Sequence, residues 1–242
     1  MLCIYNTSTD PYFNLAAEEY LFSTSADDIF MLWQNEPSVI IGKHQDVWSE
    51  INMALANEQR IKIARRFSGG GAVYHDLGNL NLTFIQNNTC PDFTVFTGQI
   101  IDFLSTFGIN AVPDVRQGLT VNNLKISGSA QYIRKGRIIH HATLLFSSDL
   151  DVLNKILDVP EKQINTGKQH KYSVSSVKSE VTNLSTLLPS YWSIKEFKQK
   201  AINYFGGNSK TGTIYSFNKN DLINIERLRD EKYAKTSWNI NP

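Results

Sequence analysis

The sequence predicts an α+β fold, a mixed and largely antiparallel sheet flanked by helices. Two hairpin signals and one pattern of segregation point there. Asn122-Asn123 sits between the apolar runs Leu119–Val121 and Leu124–Ser127, and Lys135-Gly136 sits between Gln131–Arg134 and Ile138–Phe146. Both pairs suit tight turns that need positive φ. The helical stretches fall apart from these strands instead of alternating with them, which disfavours a doubly wound parallel sheet. With 242 residues and 41% hydrophobic content, the chain can bury the core of one large domain.

The elements follow in order. Asn14–Phe22 reads as a helix capped by Asn14, with Ala17, Tyr20 and Leu21 on one face. Ile29–Trp33 and Val39–Ile41 read as two strands joined by a turn at Pro37, and Glu50–Gln59 as one helix. Ile61–Ala64 is a strand that runs into a glycine-rich loop. Leu80, Leu82 and Phe84 alternate with Asn81 and Thr83, the period-2 pattern of a half-buried strand. Val95–Phe107 is an amphipathic helix closed by Gly108. Residues 158–185 are polar and weakly patterned, which fits either a loop over a site or a plain surface connection. Ser193 and Glu196 form a capping box for a helix to Phe205, ended by Gly206-Gly207, and Asp221–Glu231 is the last helix.

Bulk properties exclude several classes. Twenty-four basic and 23 acidic residues leave no net charge suited to general nucleic-acid binding. Two cysteines, Cys3 and Cys90, make neither a disulfide framework nor a zinc site. The first residues lack the basic and apolar regions of a secretory signal, and the apolar runs are far short of the ~20 residues that span a bilayer. No membrane role and a cytoplasmic setting are expected.

Two stretches carry chemistry. Arg65-Arg66-Phe67-Ser68-Gly69-Gly70-Gly71-Ala72 places two arginines before three consecutive glycines. Glycine permits positive φ and close approach of a ligand, and successive N–H groups can converge on one anionic oxygen. Neither a Walker A nor a dinucleotide fingerprint is present. A tight turn with solvated arginines fits these residues equally well. In Leu124-Lys125-Ile126-Ser127-Gly128-Ser129-Ala130 the lysine stands beside small residues that leave room for a cavity. There it could act as a fixed cation facing a developing negative charge, or it could be an edge lysine facing water. His140 and His141 are adjacent on a strand, so they face opposite sides and at most one enters a pocket. No histidine spacing suggests a metal site, and the metal ligands stay unknown.

Taken in order, these segments resemble the lipoate–protein ligase A family. The resemblance begins at Asp10-Pro11-Tyr12-Phe13-Asn14-Leu15-Ala16 with Glu18-Glu19. It continues through Phe30–Trp33 with Ile40–Gln45, read as paired strands walling an acyl pocket. Arg65-Arg66-x-Ser68-Gly69-Gly70-Gly71-Ala72-Val73-Tyr74-His75-Asp76-x-Gly78-Asn79 is its most specific part, followed by Lys125–Ala130, His140–Leu145 and Ser176–Leu184. The resemblance implies a fold like that of biotin/lipoate ligases and class II aminoacyl-tRNA synthetases. It implies activation of lipoate by ATP with Mg²⁺ to lipoyl-AMP, then transfer to a lysine of a carrier domain. The carriers implied are the lipoyl domains of 2-oxoacid dehydrogenase complexes or the glycine-cleavage carrier protein. It makes Lys125 the catalytic residue. Arg66, Ser68, Gly69, Gly70, Gly71, Val73, Tyr74, His75, Asn79, Ser127, Gly128, Ala130, His141 and Thr143 become binding residues for lipoate and lipoyl-AMP, with the lipoyl tail in an apolar tunnel.

The sequence departs from the family pattern in two places. An Asn-Asp pair common in these ligases is replaced by Gln117-Gly118, so a carboxylate expected near the nucleotide is missing and weak ATP–pyrophosphate exchange is expected. That departure favours, as an alternative, a lipoyl transferase that uses preformed lipoyl-AMP. A cysteine-dependent octanoyl transferase would need a thiol near the lysine motif, where neither cysteine stands. A non-catalytic module binding lipoate or adenylate is the other class. Residues 1–235 are expected to form the catalytic domain, and Thr236–Pro242 to be the remnant of a linker to an accessory domain absent from this chain, which a separate partner could supply.

Overall fold

A computed structural model of the chain describes residues 1–87, 92–164, 174–207 and 213–240. Cys90, residues 165–173 of the polar stretch and the last two residues of the linker-like tail lie outside the described residues. The strands are β1 (Leu2–Tyr5), β2 (Ile29–Trp33), β3 (Ser38–Ile41), β4 (Lys62–Arg65), β5 (Val73–His75), β6 (Asn79–Asn87), β7 (Val112–Pro113), β8 (Leu119–Val121), β9 (Leu124–Ser127), β10 (Ser129–Arg134), β11 (Arg137–Leu145) and β12 (Thr213–Tyr215). The helices are α1 (Pro11–Thr24), α2 (Val47–Glu50), α3 (Met53–Glu58), α4 (Thr94–Ser105), α5 (Leu150–Ile156), α6 (Glu161–Ile164), α7 (Ile194–Gly207), α8 (Lys219–Leu228) and α9 (Thr236–Asn239).

A six-stranded sheet runs in the order β10-β11-β6-β2-β1-β12. It is antiparallel from β10 to β2 and parallel from β2 to β12. The mixed, mainly antiparallel character read from the hairpins is borne out. Asn122 and Asn123 have φ of 52° and 65°, and Lys135 and Gly136 have 51° and 74°, the positive values that two-residue hairpin turns require. The Ser193–Glu196 box also stands: the Ser193 amide donates to Glu196 Oε2 at 2.7 Å.

Several elements differ from the reading. The first helix is capped by Asp10, and Asn14 lies inside it, buried, bridging Asn6, the Ser8 and Gln34 carbonyls and Asn35. A polar residue inside a helix had looked like a start signal because Asn favours caps, but here tertiary bonds hold it. The stretch Glu50–Gln59 is not one helix: α2 ends at Glu50 with Ile51 extended as its C-cap, and Asn52 then caps α3 through Leu55 N. The strands β2 and β3 are not partners. One pairs with β1 and β6, whereas the other joins a separate sheet of order β4-β3-β5. Pro37 therefore turns the chain from one sheet to the other.

The alternation in β6 is real but does not separate core from water. Leu80, Leu82 and Phe84 pack into a cluster with Phe96, Ile100, Phe103 and Phe197 from α4 and α7. Asn79, Asn81 and Thr83, on the opposite face, are at most 2% exposed. The polar face is turned towards α1 and a cavity. Neighbouring β11 follows suit: His140, opposite Phe84, stacks on Phe96 in the core, and His141, opposite Thr83, faces the other way. The two histidines do part to opposite faces, as strand geometry requires.

Candidate active site

The cavity holds about 780 Å³ and lies among the glycine loop, the β9–β10 turn, β11, α5 and the segment 176–181. Pockets of this size accommodate small organic ligands. Gly69, Gly70, Gly71, Val73, Tyr74, His75, Lys125, Ser127, Gly128, Ala130, His141, Thr143 and Arg66 all line it. Two of the expected residues do not. Ser68 is wholly buried behind the loop, and Asn79 is buried at the start of β6, bonded to Asn81.

The glycine loop takes its shape from Arg66. Its guanidinium is buried and donates to the carbonyls of Ile40 (3.2 Å), Gly69 (2.6 and 3.0 Å) and Gly71 (2.8 Å). A peptide unit is planar and trans, so a carbonyl drawn onto Arg66 turns the next N–H the opposite way. The amides of Gly70 and Ala72 are thereby directed away from the arginine, and Ala72 N–H indeed reaches Ser176 Oγ at 2.8 Å. Burial lowers the Arg66 pKa to about 10, with Glu18 acting against the shift, so the group stays cationic at neutral pH. Arg66 thus builds the loop and lends it positive potential, while its own donors are engaged.

Arg65 does a different job. It is fully buried and donates to the carbonyls of Gly42, Gln45, Trp238 and Asn239. It ties α9 to the strand that leads into the loop.

Lys125, on β9, projects into the cavity. Its Nζ lies 3.0 Å from Asp114 Oδ2, each side chain 19% exposed. Burial alone would raise the Asp114 carboxyl, but Lys125 and the amides of Arg116 and Gly118 outweigh it and hold it below the ordinary range. A carboxylate therefore stands at this lysine although positions 117 and 118 lack one. The segment 176–182 crosses above: Lys125 N donates to Glu180 O, and Thr182 N to Lys125 O. Ser176 N is held by the buried Glu50 carboxylate, and Ser176 Oγ accepts from Gln45. The polar stretch seen in the sequence is, in its described part, a bridge between glycine loop and lysine strand.

On another wall a buried carboxylate gathers donors. Trp33 Nε1 donates to Thr83 Oγ1 (2.9 Å), Thr83 to Glu18 Oε1, and His141 Nδ1 lies 2.7 Å from the same oxygen. His75, buried with Asn35 donating to its Nδ1, has its pKa lowered to about 3 by burial and then by Arg66, so it is neutral and carries its proton on Nε2. Glu50 and Asp114 were not singled out by motif, and Glu18 was quoted in the first segment of the resemblance without a role. Glu18 had a signal of its own, a charged residue on the helix face shared with Leu15 and Phe22. Among the described residues no cluster of three or more His, Cys, Asp or Glu could hold a metal ion. Cys3 is buried beneath α7. No helix among the described residues is long and apolar enough to cross a membrane.

Comparison with protein families matches residues 10–206 to the family described as the lipoyl protein ligase A/B catalytic domain. Over 239 residues the chain is 36% identical to lipoate–protein ligase 1 of Staphylococcus aureus, covering 97% of this chain and 71% of that protein. Among solved structures it is similar to a bi-partite lipoate protein ligase from Thermoplasma acidophilum, described together with its E2 lipoyl domain. The TM-score is 0.82 at 27% identity, over 98% of this chain and 95% of that one. It is also similar to a lipoate-protein ligase A bound with ATP, with a TM-score of 0.81 at 26% identity over 98% and 97% of the two chains.

Proposed function

Because the chain belongs to the lipoyl protein ligase A/B catalytic-domain family, we propose that its cavity activates lipoate with ATP and passes the lipoyl group to a lysine of a carrier domain. The observation that carries the reading is the meeting of Lys125 with the arginine-shaped glycine loop across one cavity. In the first step a lipoate carboxylate oxygen bonds to the α-phosphorus of ATP and the bond to pyrophosphate breaks. In the second, the carrier amine attacks the acyl carbon and AMP leaves. Both steps place negative charge on oxygens that lie between acyl group and phosphate. A preorganised ammonium at Lys125 and the outward-facing Gly70 amide stabilise that charge. Leu15, Trp33, Ile40 and Ala142 give the cavity apolar wall for the lipoyl tail.

Mg²⁺ enters this scheme with the nucleotide. Asp114, the carboxylate near the reacting end, has its oxygens engaged by Lys125 and by its own turn, which fits an ion held mostly by substrate phosphates, the usual mode for magnesium, and not a resident site built by protein alone. That carboxylate also supports full ligation over transfer from preformed lipoyl-AMP, since the alternative leaned on its absence at 117–118. The carrier is proposed to be a lipoyl domain of a 2-oxoacid dehydrogenase or glycine-cleavage carrier, entering from the Arg116 side of the cavity. The catalytic unit is proposed to span residues 1–235 with the docked α9, and an accessory domain, in this polypeptide or another, would attach beyond it.

The test is lipoate-dependent ATP–pyrophosphate exchange. Exchange that requires lipoate and disappears in Lys125→Ala is the expected result. Absent exchange beside brisk transfer from supplied lipoyl-AMP would instead make the chain a transferase.

A further inference from the structure

The loop between β7 and β8 is built around one side chain. Asp114 Oδ1 accepts from the amides of Arg116 and Gly118, both at 2.8 Å. Asp114 N donates to Gly118 O (2.8 Å), Gln117 N to Asp114 O (3.1 Å), and Ser129 Oγ to Gln117 O (2.8 Å), pinning the turn to β10. One carboxylate oxygen is consumed in the turn. The other, Oδ2, faces Lys125 Nζ at 3.0 Å. The turn thus fixes the carboxylate, and the carboxylate meets the ammonium.

Gly118 completes the arrangement. A Cβ there would lie 2.8 Å from Asp114 Oδ2, 3.0 Å from Lys125 Cε and 2.7 Å from Ser127 O. No side chain can share that space with the ion pair. The residue whose lack of a carboxylate stood out in the sequence is the one that makes room for a carboxylate reaching in from four positions earlier.

We infer that Asp114 is the positioning residue for Lys125, holding its ammonium aimed into the cavity, and that position 118 is glycine so that this carboxylate can sit there. The inference rests on the reading that Lys125 serves the acyl-adenylate chemistry. A lysine has a flexible four-carbon stem, and its backbone anchors, Glu180 O and Thr182 N, fix only where the stem begins. A partner pinned by four bonds to main-chain groups of its own turn fixes where it ends.

The test uses the full chain, an apo lipoyl domain and supplied lipoyl-AMP. Asp114→Asn keeps an oxygen for the turn and removes only the charge at Lys125. Its kcat for transfer should fall ~10–100-fold, the scale of misplacement of a reacting group by about 1 Å, with KM for lipoyl-AMP little changed. Gly118→Ala should fall in the same direction. Asp114→Ala should regain rate with added formate, which can occupy the vacated carboxylate position, and Asp114→Asn should not. Acylation of Lys125 by a small anhydride, followed by peptide mass spectrometry, should be faster in Asp114→Asn, because the amine is no longer held against a carboxylate. Thermal melting shows that each variant is folded. A folded Asp114→Asn with normal kcat, or loss in Asp114→Ala with neither formate rescue nor altered Lys125 labelling, would overturn the inference and leave Asp114 a turn residue. Lys125→Ala, run in parallel, separates the two levels: if it transfers normally, the role of Lys125 fails first.

Discussion

Replacing Gly70 with alanine asks the loop to keep its shape without its freedom. Gly70 has φ of +92°, and its Cβ would stand 2.8 Å from Arg66 Nη2 and 3.4 Å from Ala130 Cβ. The left-handed conformation costs a non-glycine residue about 1–2 kcal/mol. The Cβ also pushes against the very nitrogen that holds the Gly69 and Gly71 carbonyls, and losing one hydrogen bond to a charged donor costs ~1.5–3 kcal/mol. Together the two effects come to about 3 kcal/mol, or on the order of 100-fold in an equilibrium constant. Because the loop is part of the cavity wall, most of this is expected as weaker lipoyl-AMP binding, read by titration calorimetry, with a smaller loss of melting temperature. Gly69→Ala is the control for the fold: its Cβ meets no protein atom within 4 Å, so its stability should stay within about 0.5 kcal/mol of the parent. Tight, unaltered binding by Gly70→Ala would refute the idea that Arg66 and this glycine shape an anion-binding loop.

Three further outcomes are expected. Arg65→Lys keeps the charge but loses the planar fork that reaches five carbonyls; urea unfolding should show a loss of at least about 2 kcal/mol, and release of α9 should raise amide exchange at Trp238. Glu18→Ala strips the acceptor from Thr83 and His141 inside a buried wall and should cost ~3 kcal/mol in the same assay, with Glu18→Gln milder because an acceptor remains. His75 and His140 have native pKa values near 3 through burial, below the ordinary 6.5. The unfolded chain therefore binds protons that the native one refuses, so their stability contribution is present above pH 6.5 and lost as pH falls towards 3. The slope is at most ~1.4 kcal/mol per pH unit for each. His140→Phe, which keeps the stack on Phe96, should flatten the decline between pH 6 and 5, and an unchanged slope would contradict the assignment.

What the sequence conveyed well was local. Hairpin turns at Asn122-Asn123 and Lys135-Gly136, the Ser193 box and the adjacent histidines were legible because each depends on neighbours in the chain. The glycine loop and the lysine hairpin were legible as sites because their residue types are costly or odd where they stand. Tertiary choices were not legible. That β2 and β3 belong to different sheets depends on what each meets far along the chain, and β1 and β12 are too short to announce themselves. The polar residues of β6 were taken for a solvent face because alternation reports two faces without saying what covers each. Asp114 was hidden for a similar reason. Its importance comes from a turn that folds it back over Gly118 onto Lys125, and position-by-position matching registers only the carboxylate missing at 118.

The most direct measurement of the central claim is the intact mass of an apo lipoyl domain incubated with this chain, lipoate, ATP and Mg²⁺. One lipoyl group is expected at a single lysine, only when ATP and lipoate are both present, at a rate reduced ~10²–10³-fold or more by Lys125→Ala. An unmodified domain from both ATP with lipoate and supplied lipoyl-AMP, or modification undiminished in Lys125→Ala, would contradict it.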